Sequence, residues 1–180
     1  MKYVNKKKEE KNMAKSLVIY YSRAGQNYVN GEIVDLPVGN TQIIVDYIKE
    51  LTDADTFQVE TIKEYPADYM QTTEVAQDEQ DADARPELKE ELTDISEYDT
   101  IYIASPNWWG TLPMAMFTQL EKLDFTGKKV KTVITHEGSG LGTSMNDVKK
   151  LCEGAEIEKG LAIHGADVKE NKATIENWVE

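Results

Sequence analysis

Ser-Leu-Val-Ile-Tyr-Tyr-Ser-Arg-Ala-Gly, residues 16–25, is the stretch that decides the fold of this 180-residue chain. Its first six residues form an apolar, β-branched and aromatic run of strand length, and its last four form a turn that ends in glycine. A second run, Thr-Ile-Tyr-Ile-Ala (100–104), leads in the same way into Ser-Pro-Asn-Trp-Trp-Gly (105–110). A phosphate-sized loop after one strand and an aromatic loop after another suit a ligand with an anionic tail and a flat ring.

Strand-like and helix-like segments alternate along the rest of the chain. The composition predicts strands at 16–21, 57–61, 100–104, 130–135 and 157–163. Apolar residues at helical spacing predict helices after Thr41, over 69–80, around 114–123 and 145–151, and at 175–178. This alternation predicts an α/β fold, with a five-stranded parallel sheet covered by helices on both faces.

Four segments together carry a resemblance to a known family. They are Tyr-Tyr-Ser-Arg-Ala-Gly (20–25), Gly-Asn-Thr (39–41), Tyr-Asp-Thr-Ile-Tyr-Ile-Ala-Ser-Pro-Asn-Trp-Trp-Gly (98–110) and Thr-His-Glu-Gly-Ser-Gly-Leu-Gly (135–142). In their order after successive strands they resemble flavodoxin-type FMN proteins, from Ser16 to the C-terminus. The resemblance implies a three-layer α-β-α sandwich with strand order 2-1-3-4-5, a ligand crevice between strands 1 and 3, and FMN as the cofactor.

The resemblance places the FMN phosphate where strand 1 meets helix 1. A serine hydroxyl, backbone amides and the positive end of a helix favour a dianion there without a lysine. The predicted phosphate contacts are Ser22, Arg23, Ala24, Gly25, Asn40 and Thr41. The alternative is that Asn40 and Thr41 only cap the helix.

An insertion separates the two halves of this loop. Fourteen residues, 26–39, stand where many family members continue directly, and Asn30-Gly31 within them is a two-residue hairpin signal. We expect a hairpin lid beside the flavin. Its apolar residues Tyr28, Ile33 or Leu36 should pack against the Trp108-Trp109 loop, because an isolated hairpin is marginally stable.

The resemblance assigns two further loops to the flavin ring. The first is Pro106, Asn107, Trp108, Trp109 and Gly110, in which one tryptophan flanks the ring and the other packs under the following helix. Backbone groups there can respond to the proton that enters the ring on reduction. Gly110 allows close approach of the backbone.

The second loop contains alternating glycines that let the backbone lie flat against a ring. Its residues are His136, Glu137, Gly138, Ser139 and Gly140. Adjacent histidine and glutamate allow an acid–base interpretation, but positioning of the flavin is the preferred one. His164 is interpreted as structural, and two distant histidines with one cysteine indicate no metal site.

Length and composition predict a single domain over 14–180. Residues 1–13 are lysine-rich and are expected to form a disordered extension. No apolar stretch of signal-peptide length follows them, which predicts a cytoplasmic protein.

The net charge of −13 disfavours nucleic acid and anionic membranes and favours redox partners with basic surfaces. Much of the acidity lies in the connection 62–99, either as a solvated helical face or as a docking surface. Its acidic residues include Glu74, Asp78, Glu79, Asp81, Asp83, Glu87, Glu90, Glu91 and Asp94.

Three functions are compatible with this sequence. The first, which we favour, is a low-potential electron carrier between proteins, present as a monomer or weak dimer. The second is an FMN-dependent NAD(P)H reductase of quinones, azo compounds or nitroaromatics. The third is a flavin-free receiver module, which Ser22-Arg23 and Ser105-Pro106 disfavour because receivers place carboxylates there.

Overall fold

The computed structural model describes residues 14–180, so the expected extension at 1–13 lies outside the described residues. The strands are β1 (Ser16–Tyr20), β2 (Gly25–Val29), β3 (Glu32–Leu36), β4 (Asp55–Gln58), β5 (Thr100–Pro106), β6 (Lys129–His136), β7 (Glu156–Ile157) and β8 (Leu161–His164). The helices are α1 (Asn40–Thr52), α2 (Tyr69–Asp81), α3 (Met114–Leu120), α4 (Ser144–Leu151) and α5 (Lys172–Val179), with a 3₁₀ helix at Gly165–Glu170.

The main sheet is parallel and has the order β4-β1-β5-β6-β7, with β8 also paired to β6. The α/β class and the 2-1-3-4-5 arrangement are therefore confirmed. The sheet has six strands rather than five because the last one is interrupted. Val130 pairs with Ile157 and Val133 with Leu161, so this edge carries one residue more than β6 between those pairs. The extra residue forms a bulge that splits the strand.

Both faces of the sheet are buried, as expected for parallel strands. Along β1, Leu17 and Ile19 enter a core with α3 and α4, whereas Val18 and Tyr20 enter a core with α1 and α5. This alternation gives the predicted three layers. Within residues 14–180 no helix is both long and apolar enough to cross a membrane.

The predicted hairpin is present as the antiparallel pair β2–β3, outside the main sheet. Its turn residues Asn30 and Gly31 have φ values of 50° and 87°. Positive φ at both positions is the type I′ geometry that Asn-Gly favours. The hairpin begins directly after the first strand-end loop and ends directly before α1, which places it beside the carboxyl ends of the parallel strands.

Candidate functional site

A cleft lies at the carboxyl ends of β1, β5 and β6 and consists of two adjoining cavities of about 310 and 430 Å³. Both volumes are within the range of small-molecule sites. The cavities share a set of polar and aromatic side chains, namely Arg23, Asn27, Tyr28, Tyr69, Asn107, Trp108 and Ser139. We call the smaller one the polar compartment and the larger one the aromatic compartment.

The polar compartment contains the start of α1. It is lined, beyond the shared residues, by Asn40, Thr41, Pro106, Thr135, His136, Glu137 and Gly165. The N-cap of α1 is Gly39, which has no side chain to accept a hydrogen bond from the first turn. Ser22 Oγ accepts from the Gln42 amide at 3.1 Å instead. The alternative that Asn40 and Thr41 only cap the helix therefore receives no support. Gly39 permits this arrangement because a Cβ would overlap Ser22 Oγ and the Arg23 carbonyl.

Thr41 and Arg23 make different kinds of contact in the polar compartment. The buried Thr41 hydroxyl is 2.8 Å from the hydroxyl of Thr135 at the end of β6. The Arg23 guanidinium donates to the carbonyls of Gln26, Pro66 and Ala67 at 3.0–3.2 Å. Arg23 therefore joins the strand-end loop to the segment before α2 and leaves a positive charge at the boundary of the two compartments.

The aromatic compartment is lined by the Trp108–Thr111 turn on one side. Trp108 and Thr111 are joined by a backbone hydrogen bond of 2.7 Å, and the central residues Trp109 and Gly110 have φ values of 53° and 88°. Trp108 packs edge-on to Tyr21 and Tyr65, at ring-centroid distances of 5.1 Å each. Trp109 is 53% exposed and donates from Nε1 to the Thr73 carbonyl at 2.9 Å. The two tryptophans thus occupy different environments.

Asn107 fixes this turn to the glycine-rich loop after β6. Its Oδ1 accepts from the Gly110 amide at 2.8 Å, and its Nδ2 donates to the Gly140 carbonyl at 2.9 Å. The Gly110 carbonyl in turn accepts from the Thr143 amide at 2.7 Å. The two predicted ring loops are therefore one connected unit.

His136 and Glu137 are held by different partners. His136 Nδ1 accepts from the Gly138 amide at 2.9 Å, so the proton of the neutral imidazole resides on Nε2. Burial lowers the pKa of His136, the neighbouring His164 lowers it further, and Glu137 opposes both effects. Glu137 Oε2 accepts from the Asn30 amide at 3.1 Å and lies 3.4 Å from His164 Nε2.

The remaining residues of the predicted site are not all at the cleft, since Ser22 and Ala24 line a separate cavity on the other side of Arg23 together with residues 58–60. Ser139 lines both compartments. Gly138 and Gly140 have positive φ values and open space where a side chain would stand. Ala24 and Gly25 form the link from β1 to the hairpin, where Gly25 has a φ of 85° and begins β2.

Sequence reasoning missed several lining residues. They are Asn27 and Tyr28 on β2, Tyr69, Met70, Thr72, Thr73 and Ala76 on α2, Thr135, and Gly165. Tyr28 stacks on Tyr69 with a centroid distance of 6.2 Å. Tyr28 therefore packs on α2, and it lines the same cavities as Trp108, while packing of the hairpin on the Trp108-Trp109 loop stays a prediction. Helix α2 itself was predicted, and the signal that could have placed it at the cleft is Tyr69-Met70, a large apolar pair at its start.

The residues present fit a cofactor with a phosphate, a polar chain and a planar ring. Helix α1 presents its N-terminus to the polar compartment, where backbone amides favour an anion. The aromatic compartment offers tyrosine and tryptophan faces, and Gly138 and Gly140 leave room for a ring against the backbone.

The chain belongs to the flavodoxin family, because a family model described as Flavodoxin matches residues 36–180. A protein from Bacteroides uniformis, provisionally called a flavoprotein, is 26% identical with a TM-score of 0.69, over 92% of this chain and 97% of the other. A flavoprotein from Lactobacillus acidophilus in complex with FMN is 21% identical with a TM-score of 0.63, over 93% and 99%. Oxidised flavodoxin 2 from Bacillus cereus is 23% identical with a TM-score of 0.52, over 91% and 94%. No curated protein matches the chain.

Proposed function

We propose that this protein is an electron-transfer flavodoxin that carries electrons between protein partners at low potential. The cofactor is FMN, which supplies reversible one- and two-electron transfer when bound. The observation that supports this proposal best is the division of the cleft. A helix N-terminus and paired hydroxyls suit the phosphate, and the adjoining aromatic compartment suits the ring.

The residues of the polar compartment act mainly by binding. The amides at the start of α1 would hold the phosphate, and Ser22 holds that helix start by accepting from the Gln42 amide. Thr41 and Thr135 place a hydroxyl pair on the same wall. Because these groups are neutral, the site recognises a dianion through hydrogen bonds and the helix dipole.

The residues of the aromatic compartment orient the ring and limit solvent. Asn107 fixes the Trp108–Thr111 turn relative to the loop after β6, which keeps both ring-facing segments in register. His136, with its proton on Nε2, presents a donor to the polar compartment. The net charge of −13 opposes addition of negative charge to the cofactor and so favours a low potential.

Exposed carboxylates near the aromatic compartment support a basic partner. Glu32 and Asp35 lie exposed on the hairpin, and Glu74 and Asp78 lie exposed on α2. Between them stand the exposed apolar side chains of Tyr28, Met70 and Trp109. An apolar centre with an acidic rim suits a partner of complementary charge. We propose a monomer or weak dimer in the cytoplasm.

A second candidate function is a reductase that oxidises NAD(P)H and reduces a quinone, azo compound or nitroaromatic. The observation that favours it is the aromatic compartment, whose volume of about 430 Å³ and stacked Tyr28–Tyr69 pair could accept a planar substrate.

Anaerobic titration distinguishes the two functions. The purified protein should be yellow with one noncovalent FMN per chain. A carrier should be reduced by dithionite in two resolved one-electron steps and should not oxidise NADPH directly. Rapid bleaching by NADPH, with turnover on addition of a quinone, would establish the reductase. A colourless protein that binds no added FMN would contradict both.

A further inference from the structure

The β2–β3 hairpin is attached to both sides of the cleft. At its tip, the Asn30 amide donates to Glu137 Oε2 at 3.1 Å, across 107 residues of sequence. On its first strand, Tyr28 stacks on Tyr69 of α2 with ring planes 24° apart. Asn27 and Tyr28 line both compartments. The Tyr69 amide of α2 also donates to Gln26 Oε1 on β2 at 2.8 Å. The hairpin is therefore a wall of the cleft that is held along β2 by α2 and at its tip by Glu137.

The turn geometry leaves the Asn30 amide available for this contact. Val29 and Glu32 close the hairpin ladder, and the two turn residues between them have positive φ. In a type I′ turn the amide of the first central residue takes no part in the ladder. It is therefore free to bond outside the hairpin, and the Glu137 carboxylate accepts from it.

The carboxylate is placed by the sheet rather than by the hairpin. Glu137 follows β6 directly, its side chain is 20% exposed, and His164 Nε2 lies 3.4 Å from Oε2. Its Oε1 is buried, and no donor within residues 14–180 reaches it. Gly165 makes room for it, because a Cβ there would overlap Oε1. Because this partly buried carboxylate has so few donors, the hydrogen bond from the Asn30 amide stabilises its charged form.

We propose that Glu137 is a positioning residue that latches the hairpin across the cleft, so that hairpin opening sets how fast the cofactor enters and leaves. The statement about cofactor entry and release rests on the proposed function. The statement that Glu137 holds the hairpin closed concerns the protein alone. Because the latch holds a wall and not the ligand, its loss should accelerate entry and release together.

The experiment compares Glu137→Ala and Glu137→Gln with the wild type. Glu32→Ala is the matched control, since it removes an exposed carboxylate from the hairpin itself. Hydrogen–deuterium exchange of residues 25–36 is measured on cofactor-free protein. Glu137→Ala should exchange about tenfold faster there, as loss of one charge-assisted hydrogen bond implies. Glu137→Gln keeps an acceptor oxygen and should stay closer to the wild type, and Glu32→Ala should equal it.

Stopped-flow mixing with FMN supplies the second readout. In Glu137→Ala the association and dissociation rates should both rise, because each requires the hairpin to open. A rise in the dissociation rate alone would assign Glu137 to direct cofactor contact and overturn the latch. Wild-type exchange in Glu137→Ala would overturn it as well.

Failure of the proposed function is recognised separately. If the wild type binds no FMN, that function is wrong, while the exchange comparison still decides the latch. If Glu137→Ala does not fold, Glu137→Asp replaces it, because a shorter carboxylate should not reach Asn30. Unchanged exchange in that variant overturns the proposal.

Discussion

The two compartments of the cleft share a wall that includes Tyr28, Tyr69 and Trp108, and they differ in the rest of their lining. The polar compartment uses the start of α1 and the ends of the parallel strands, where Thr41 is 3% and Thr135 is 5% exposed. The aromatic compartment uses the hairpin, α2 and the Trp108–Thr111 turn, where Tyr28 is 41% and Trp109 is 53% exposed. Buried framework residues cannot move without disturbing the core, whereas exposed ones can. We therefore propose that the framework recognises the cofactor and that the hairpin and α2 control access to it.

The largest effect is expected in the polar compartment. The double variant Ser22→Ala/Thr41→Val should weaken FMN binding by about 2–5 kcal/mol, because Ser22 holds the start of α1 and Thr41 lines the polar compartment. Ser22 Oγ also holds the Gln42 amide, and Thr41 pairs with Thr135, so the site itself should loosen. Fluorescence titration of cofactor-free protein with FMN measures the change.

The matched control is Thr52→Val, at the opposite end of α1. Its hydroxyl donates to the Ile48 carbonyl at 2.6 Å, far from the cleft, so FMN affinity should equal that of the wild type. Urea unfolding of each variant separates lost binding from lost stability, since removal of the Ser22 cap alone costs about 0.5–2 kcal/mol. An unchanged FMN affinity in the double variant would contradict the phosphate assignment.

The same division explains how much the sequence could predict. The Asn30-Gly31 turn follows from local composition and is at the expected place. The two strand-to-loop junctions were predicted to within two residues, since β1 ends at Tyr20 rather than Tyr21 and β5 at Pro106 rather than Ala104. The polar compartment is made of such junctions. Its main residues could therefore be named from the chain alone.

The lining of the aromatic compartment could not be predicted from local sequence patterns in this way. The Tyr28–Tyr69 stack joins residues 41 positions apart on two segments that lack a common strand register. A hairpin pattern specifies its own turn but not the surface on which it docks, so the packing of Tyr28 on α2 was not predicted. The bulge that splits β7 from β8 likewise depends on pairing with β6, although Gly160 in that run is a local signal for an interruption.

An intermediate effect is expected in the aromatic compartment. Tyr28→Ala removes the stack on Tyr69, worth about 0.5–1.5 kcal/mol, and should loosen the hairpin accordingly. Electron transfer from the reduced protein to a bulky acceptor should then accelerate by roughly two- to tenfold, while a small acceptor reacts as before.

Stopped-flow reoxidation with cytochrome c and with ferricyanide measures the two rates for Tyr28→Ala. Tyr47→Ala is the control, because this partly buried tyrosine lies on α1 and packs against the core between the sheet and helices α1 and α5. Equal acceleration with both acceptors would show that Tyr28 acts on the cofactor and not on access.

The smallest expected effect is a pH dependence that belongs to the polar compartment. Burial, then His164, holds the pKa of His136 below its ordinary value of 6.5, against the opposing charge of Glu137. The unfolded chain therefore binds more protons than the folded one as the pH falls below about 6.5. The resulting stability is fully present above that pH and is lost as the pH falls through the folded pKa. In the aromatic compartment, burial raises the pKa of Tyr69 above 10, so this group stays protonated in this pH range and does not change the unfolding free energy with pH.

The variant His136→Asn tests this pH dependence. It keeps an acceptor for the Gly138 amide but does not titrate, so its unfolding free energy should fall less between pH 7 and pH 5 than that of the wild type. Urea unfolding at four pH values measures both profiles. Parallel profiles would show that His136 contributes nothing, and the slope would then belong to groups outside the cleft.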